Sequence, residues 1–81
     1  MRRMYMATAF IRARNAAGKL EATGETEVFI LRAEGRRQAI KDVSQDCDDR
    51  GVKDCSFNCE LVSVKKALEA EAQGARVWCD I

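Results

Sequence analysis

Four cysteines have the widest range of possible chemistry in this sequence: Cys47, Cys55, Cys59 and Cys79. Four thiolates can hold zinc, but structural zinc sites favour two close pairs of ligands on tight turns. Here Cys55 and Cys59 are the one near pair, and they fall within a predicted strand. A disulfide is a second alternative, while burial as small apolar side chains is the favoured interpretation. We therefore predict no metal site and no cofactor.

The sequence contains no histidine. This removes the commonest general base and the usual partner that activates a serine or cysteine nucleophile. The glycines are widely separated, so no phosphate-binding loop is indicated. No pair of carboxylates stands in an apolar stretch that would raise a pKa. We expect a protein that binds, not an enzyme.

Four aspartates lie within one predicted helix: Asp42, Asp46, Asp48 and Asp49. Asp42, Asp46 and Asp49 are spaced i, i+4 and i+7, so they form a stripe on one face, with Asp48 beside it. Near the C-terminus of a helix the macrodipole disfavours a negative charge by a few tenths to about 1 kcal/mol. Simple solvation, with Arg50 adjacent, is one interpretation; a partner-binding stripe is the other, and we carry it forward.

The first 20 residues are basic, with Arg2, Arg3, Arg12, Arg14 and Lys19 and no acidic residue. Such a hairpin could contact phosphates, but few aromatic residues accompany it and no RNP-like or helix-turn-helix pattern is present. Solvated hairpin ends are the alternative. Trp78, the single tryptophan, is predicted either in the core or as an exposed anchor at an interface.

The chain has 81 residues, 47% of them apolar and 33% charged, and a net charge of +1. This length predicts one domain over residues 1–81, and the charge balance argues against general nucleic-acid binding. The apolar runs are too short to span a bilayer, and the basic N-terminus lacks the apolar region of a signal peptide. We expect a cytoplasmic protein without membrane contact.

Alternating apolar residues predict strands over residues 4–14, 25–33, 55–65 and 75–81. A turn at 15–19 joins the first two into a hairpin, with a bend near Gly24. A helix over 36–50 has one apolar stripe, and 66–73 is either a short helix or a wide loop. The order is ββαβ(α)β. It predicts an α+β fold: an antiparallel sheet of three to four strands with one main helix packed on one face.

This order of elements resembles small phage-encoded anti-CRISPR proteins of the α/β type. The similarity lies in a strand leading through residues 31–35 into a helix at 36–41, then a strand and the terminal segment 73–80. It implies a non-enzymatic inhibitor that docks on a type I CRISPR surveillance complex in the host bacterial cytoplasm and blocks target-DNA binding. The candidate contacts come from the acidic stripe: Asp42, Asp46, Asp48 and Asp49.

Two other functions stay open. One is a small nucleic-acid-binding module that uses Arg12, Arg14 and Lys19 of the basic hairpin. The other is a homodimeric structural or adaptor protein that pairs the exposed edge of its sheet. On the leading hypothesis we expect a monomer or weak homodimer without direct nucleic-acid contact.

Overall fold

The computed structural model describes residues 1–52 and 54–81. In this part of the chain the elements are β1 (Arg3–Arg14), β2 (Leu20–Ala33), α1 (Arg36–Asp49), β3 (Cys55–Leu61), α2 (Val64–Ala72) and β4 (Arg76–Val77). The strands form a four-stranded sheet in the order β3-β1-β2-β4. The predicted α+β class is confirmed.

The β1–β2 hairpin is longer than predicted, because β2 starts at residue 20 and not at 25. Its turn is held by the Asn15 side chain, whose Oδ1 accepts hydrogen bonds from the backbone N of Ala17 and Lys19 at 2.9 and 3.0 Å. The register shifts between Phe10 and Arg12, opposite the predicted bend at Gly24 (φ +82°). Beyond this shift the ladder continues through residues 12–14 and 20–22. We call residues 12–25 the hairpin arm.

The main core lies between α1 and one face of the sheet. Alternate residues of β1 and β2 point to this face, and several of them are alanine, which allows the helix to approach closely. The buried members are Tyr5, Ala7, Ala9, Phe29, Leu31, Ala33, Ala39, Val43, Cys47 and Cys59. On α1 the predicted apolar stripe is buried through Ala39, Val43 and Cys47. Of the same stripe, Ile40 is partly buried.

A second helix, α2, packs on the opposite face of the sheet, so the short helix is the correct one of the two alternatives predicted for residues 66–73. Ala67 of α2 is buried against Met4 and Ile30. Ser63 caps α2, accepting from the backbone N of Lys66 at 3.2 Å. Because Ser63 is the cap, α2 begins at residue 64, earlier than the predicted 66. β3 accordingly ends at residue 61, before the predicted 65. No helix in the described part of the chain has the length and apolar character to cross a membrane.

The terminal strand β4 differs most from its prediction. It has two residues and pairs parallel with β2, whereas residues 75–81 of an antiparallel sheet were predicted. β3 runs antiparallel to β1, as β2 does, so β2 and β3 point the same way. The chain then crosses the sheet through α2 and enters β4 at the opposite edge. Because such a crossover joins parallel strands, β4 runs in the same direction as β3 and therefore as β2.

Candidate functional site

Trp78 is held in a fixed position by the fold and is still accessible. Its backbone N donates to the carbonyl O of Ile30 at 2.8 Å, which extends the contact between β4 and β2 by one residue. The indole packs on the Phe29 ring, with centroids 5.0 Å apart and planes inclined at 57°. Phe29 is fully buried, whereas Trp78 is 43% exposed. Part of the indole is therefore fixed by the core, and the rest can meet a partner.

Trp78 lines an open concavity of about 340 Å³. The other lining residues are Arg2, Leu31, Arg32, Asp42 and Cys79. Arg2 Nη2 donates to the carbonyl O of Arg32 at 3.0 Å, and Arg32 Nη2 donates to that of Asp80 at 3.5 Å. Backbone carbonyls thus anchor both guanidinium groups. We call Trp78, Arg2, Arg32 and Asp42 the Trp78 surface.

The four candidate aspartates are divided between two sides of α1. Asp42, Asp46 and Asp49 share one side, which we call the acidic flank, and Asp42 connects it to the Trp78 surface. Asp48 lies on another side of α1, toward β3. On that strand the pKa of the Cys55 thiol is raised mainly by burial, then by the charge of Glu27 and to a smaller extent by that of Asp48. The structure therefore joins three of the four predicted residues and separates Asp48 from them.

Two carboxylates of the acidic flank accept hydrogen bonds from glutamine side chains one turn earlier in α1. Gln38 Nε2 donates to Asp42 at 2.8 Å, and Gln45 Nε2 donates to Asp49 at 3.0 Å. An amide donor orients a carboxylate but leaves its negative charge in place. Asp42 and Asp49 therefore carry charge that a cationic partner could use.

Arg50 compensates the remaining carboxylate of the flank, Asp46, together with Glu27 of β2. Its Nε donates to Asp46 at 2.9 Å, and its two Nη atoms donate to the two oxygens of Glu27 at 2.9 Å each. These hydrogen bonds hold the pKa of Glu27 below its usual range, against the opposing effect of burial. The negative charge near the helix C-terminus, for which solvation and partner binding were the two interpretations, is thus partly satisfied within the domain.

The four cysteines are incorporated into the two apolar clusters. Cys47 and Cys59 are buried beneath α1 with Cys55 packed against them, and Cys79 packs in the cluster beneath α2. Burial raises the pKa of the Cys47, Cys55 and Cys59 thiols, which lowers their thiolate fraction and hence their reactivity. Among the residues that the structure describes there is neither a disulfide nor a cluster of three or more potential metal ligands.

The outer edge of β3 bears on the homodimer hypothesis. The backbone N of Val62 donates to Met4 O at 3.2 Å. By the alternation of an antiparallel ladder, Cys59 then directs its N–H and C=O to the free edge. Arg36 Nε donates to that carbonyl O of Cys59 at 3.1 Å. A second copy pairing along this edge would have to displace Arg36, so the side chain protects the edge.

The basic residues of the N-terminal segment reach two separate places. Arg2 joins the Trp78 surface, whereas Arg12, Arg14 and Lys19 lie on the hairpin arm. No sequence pattern connects Arg2 or Arg32 with Trp78, because that juxtaposition depends on where β4 pairs. Comparison with protein-family models, with curated protein sequences and with solved structures found no match to this chain.

Proposed function

We propose that this protein acts by binding another protein through the Trp78 surface and the adjoining acidic flank. The observation that carries the proposal is the half-exposed Trp78, fixed on the buried Phe29 beside Arg2, Arg32 and Asp42. Tryptophan and arginine contribute most often to the energetic centres of protein interfaces. The surface carries both signs of charge, which fits a protein partner better than the uniformly negative backbone of a nucleic acid.

For the partner, we propose a type I CRISPR surveillance complex whose target-DNA binding is blocked, as the resemblance in element order implies. A channel that receives DNA is lined by cationic side chains. The acidic flank presents Asp42 and Asp49 on a rigid helix, so it could occupy such a channel by charge complementarity. Trp78 would supply the apolar anchor at one end of this contact. The proposal places the protein in the bacterial cytoplasm, where the complex acts.

The experiment is an inhibition assay with purified surveillance complexes of several type I subtypes and a labelled target duplex. We expect the wild-type protein to reduce target-DNA binding for at least one subtype. Trp78→Ala should need roughly tenfold more protein for the same inhibition, since an interface anchor contributes more than about 1 kcal/mol. Trp78→Phe, which keeps a ring against Phe29, should fall between the two.

The matched control is Leu68→Ala, because Leu68 is a similarly exposed apolar side chain, 49% accessible, on α2 across the sheet. It should inhibit as the wild type does. Equal unfolding midpoints would separate loss of contact from loss of fold. The proposal is wrong if the wild type inhibits none of the subtypes, or if Trp78→Ala and Leu68→Ala inhibit equally.

A further inference from the structure

The helix α2 covers one end of the sheet face on which it packs and leaves Phe10 at the other end exposed. Ala67 covers Met4 and Ile30 at one end. Phe10, which lies on this face because it alternates in phase with Met4, is 43% exposed. The residues directly opposite Phe10 are Thr26 on β2 and Ser56 on β3. We call Thr8, Phe10, Arg12, Thr26, Ser56 and Asn58 the open sheet face.

Most neighbours of Phe10 on this face are polar. Thr26 and Ser56 flank it across the ladder, and the next row consists of Asn58, Thr8 and the half-buried Val28. The centre of a protein interface is typically an aromatic residue surrounded by other apolar groups. An exposed ring directly flanked by two hydroxyl groups, with an amide in the next row, matches instead a surface on which a nucleic-acid base stacks while its edge or sugar accepts and donates hydrogen bonds.

In the paired part of the hairpin arm, Arg12 and Arg14 lie on a different face from Glu21. Arg12 and Arg14 follow Phe10 at every second residue of β1, so they share its face. Glu21 pairs with Ala13 in the ladder and therefore points to the other side. Arg12 thus continues the line that starts at Phe10, at a spacing of about 7 Å between alternate residues. Arg14 follows it, with Nη1 donating to the carbonyl O of Gly18 at 2.7 Å. Consecutive phosphates of a single strand can follow such a line.

A groove adjoins the open sheet face. It has a volume of about 670 Å³ and lies between α2 and the sheet. Thr26 lines the groove and also belongs to the open sheet face, so the two are continuous. Lys66 and Arg76 at the groove are paired with Glu60 and Glu27 at 2.9 and 3.3 Å. Glu69 also lines the groove, so the positive charge that could contact phosphates lies on the arm and not in the groove.

We propose that the open sheet face binds single-stranded nucleic acid, with a base stacked on Phe10 and the adjacent phosphates contacted by Arg12 and Arg14. A duplex keeps its bases stacked on each other and cannot offer one to Phe10, so a single strand is required. This site is formed by β1, β2 and β3 on the side away from α1. It does not depend on the partner proposed for the Trp78 surface.

The test is fluorescence anisotropy with labelled single-stranded DNA and RNA of about ten nucleotides, a length typical of such sites. We expect saturable binding at low salt and weaker binding to the matching duplex. Phe10→Ala should lower the affinity roughly tenfold, the usual effect of losing one stacked base. Phe10→Tyr should restore it. Arg12→Gln with Arg14→Gln should weaken binding and lower the slope of log K against log salt by about one per residue.

The charge control is Arg37→Gln, because Arg37 is an exposed arginine of α1, and this variant should leave the affinity unchanged. Two results would overturn the proposal. One is no binding to either oligonucleotide at low salt. The other is binding that Phe10→Ala leaves intact, or that Arg37→Gln weakens as much as Arg12→Gln does. A dimer that dissociates in Phe10→Ala while no oligonucleotide binds would assign the face to a second copy, and would equally reject it.

Discussion

Phe29→Ala is expected to lower the free energy of unfolding by about 3–5 kcal/mol, the range for removing a fully buried phenylalanine. Phe29 is fully buried on the central pair of strands. Its ring supports the Trp78 indole at 5.0 Å and lies 6.0 Å from the Arg50 guanidinium carbon. An 81-residue domain has a total stability of about 5–15 kcal/mol. The substitution should therefore remove much of it.

Urea unfolding followed by Trp78 fluorescence measures this effect directly, because Trp78 is the single tryptophan. The native emission of the variant should also move to longer wavelength, since the indole loses the ring on which it packs. Val28→Ala is the control: Val28 neighbours Phe29 but is half-buried on the opposite face, so about 1 kcal/mol or less is expected. Equal losses for the two variants would contradict the assigned burial.

Glu27→Gln is expected to cost about 1–2 kcal/mol at pH 7, since it replaces a charged acceptor of two Arg50 hydrogen bonds by a neutral one. The ion pair is more sheltered than a surface pair, with the Glu27 side chain 19% exposed. Because Arg50 lowers the pKa of Glu27, its contribution is present above the unfolded glutamate pKa of about 4.3. It is lost as the pH falls through the lower folded value.

Denaturant unfolding at pH 7 and at progressively lower pH gives the measurement. The difference between wild type and Glu27→Gln should be largest at neutral pH, shrink below about pH 4 and vanish once Glu27 is protonated in both states. Glu25→Gln serves as the control, because Glu25 is exposed, and it should track the wild type throughout. A difference that persists undiminished in acid would show that the Arg50–Glu27 pair is not its source.

The fold was predictable where local patterns decide it. The helix was predicted over 36–50 and found over 36–49, because a single apolar stripe and the flanking glycines define it within the sequence. The direction of β4 was not predictable, since it follows from α2 crossing the sheet to the opposite edge. The position of α2 was not predictable either. Its nine residues have high helix propensity, but the sheet face that they cover is determined by the packing of Ala67 against Met4 and Ile30.

The candidate site was predictable in part. The i, i+4 and i+7 spacing of Asp42, Asp46 and Asp49 was sufficient to place them together. Asp48 falls outside this spacing, so the same periodicity places it on another side of the helix. The Arg50–Asp46 pair has the i, i+4 spacing of a helical ion pair and was predictable. The contact of the same guanidinium with Glu27 was not, because Glu27 lies 23 residues away in the sequence. The exposure of Trp78 and Phe10 likewise depends on where helices leave the sheet uncovered.

The most direct test of protein binding is the affinity for a purified surveillance complex, measured by calorimetry at two salt concentrations. We expect the wild type to bind with a defined stoichiometry and more weakly at high salt, since the acidic flank is screened there. A variant with Trp78→Ala, Asp42→Asn and Asp49→Asn should lose at least tenfold in affinity and most of the salt dependence. Binding of this variant with wild-type affinity and salt dependence, or no binding by the wild type at either salt, would contradict the account.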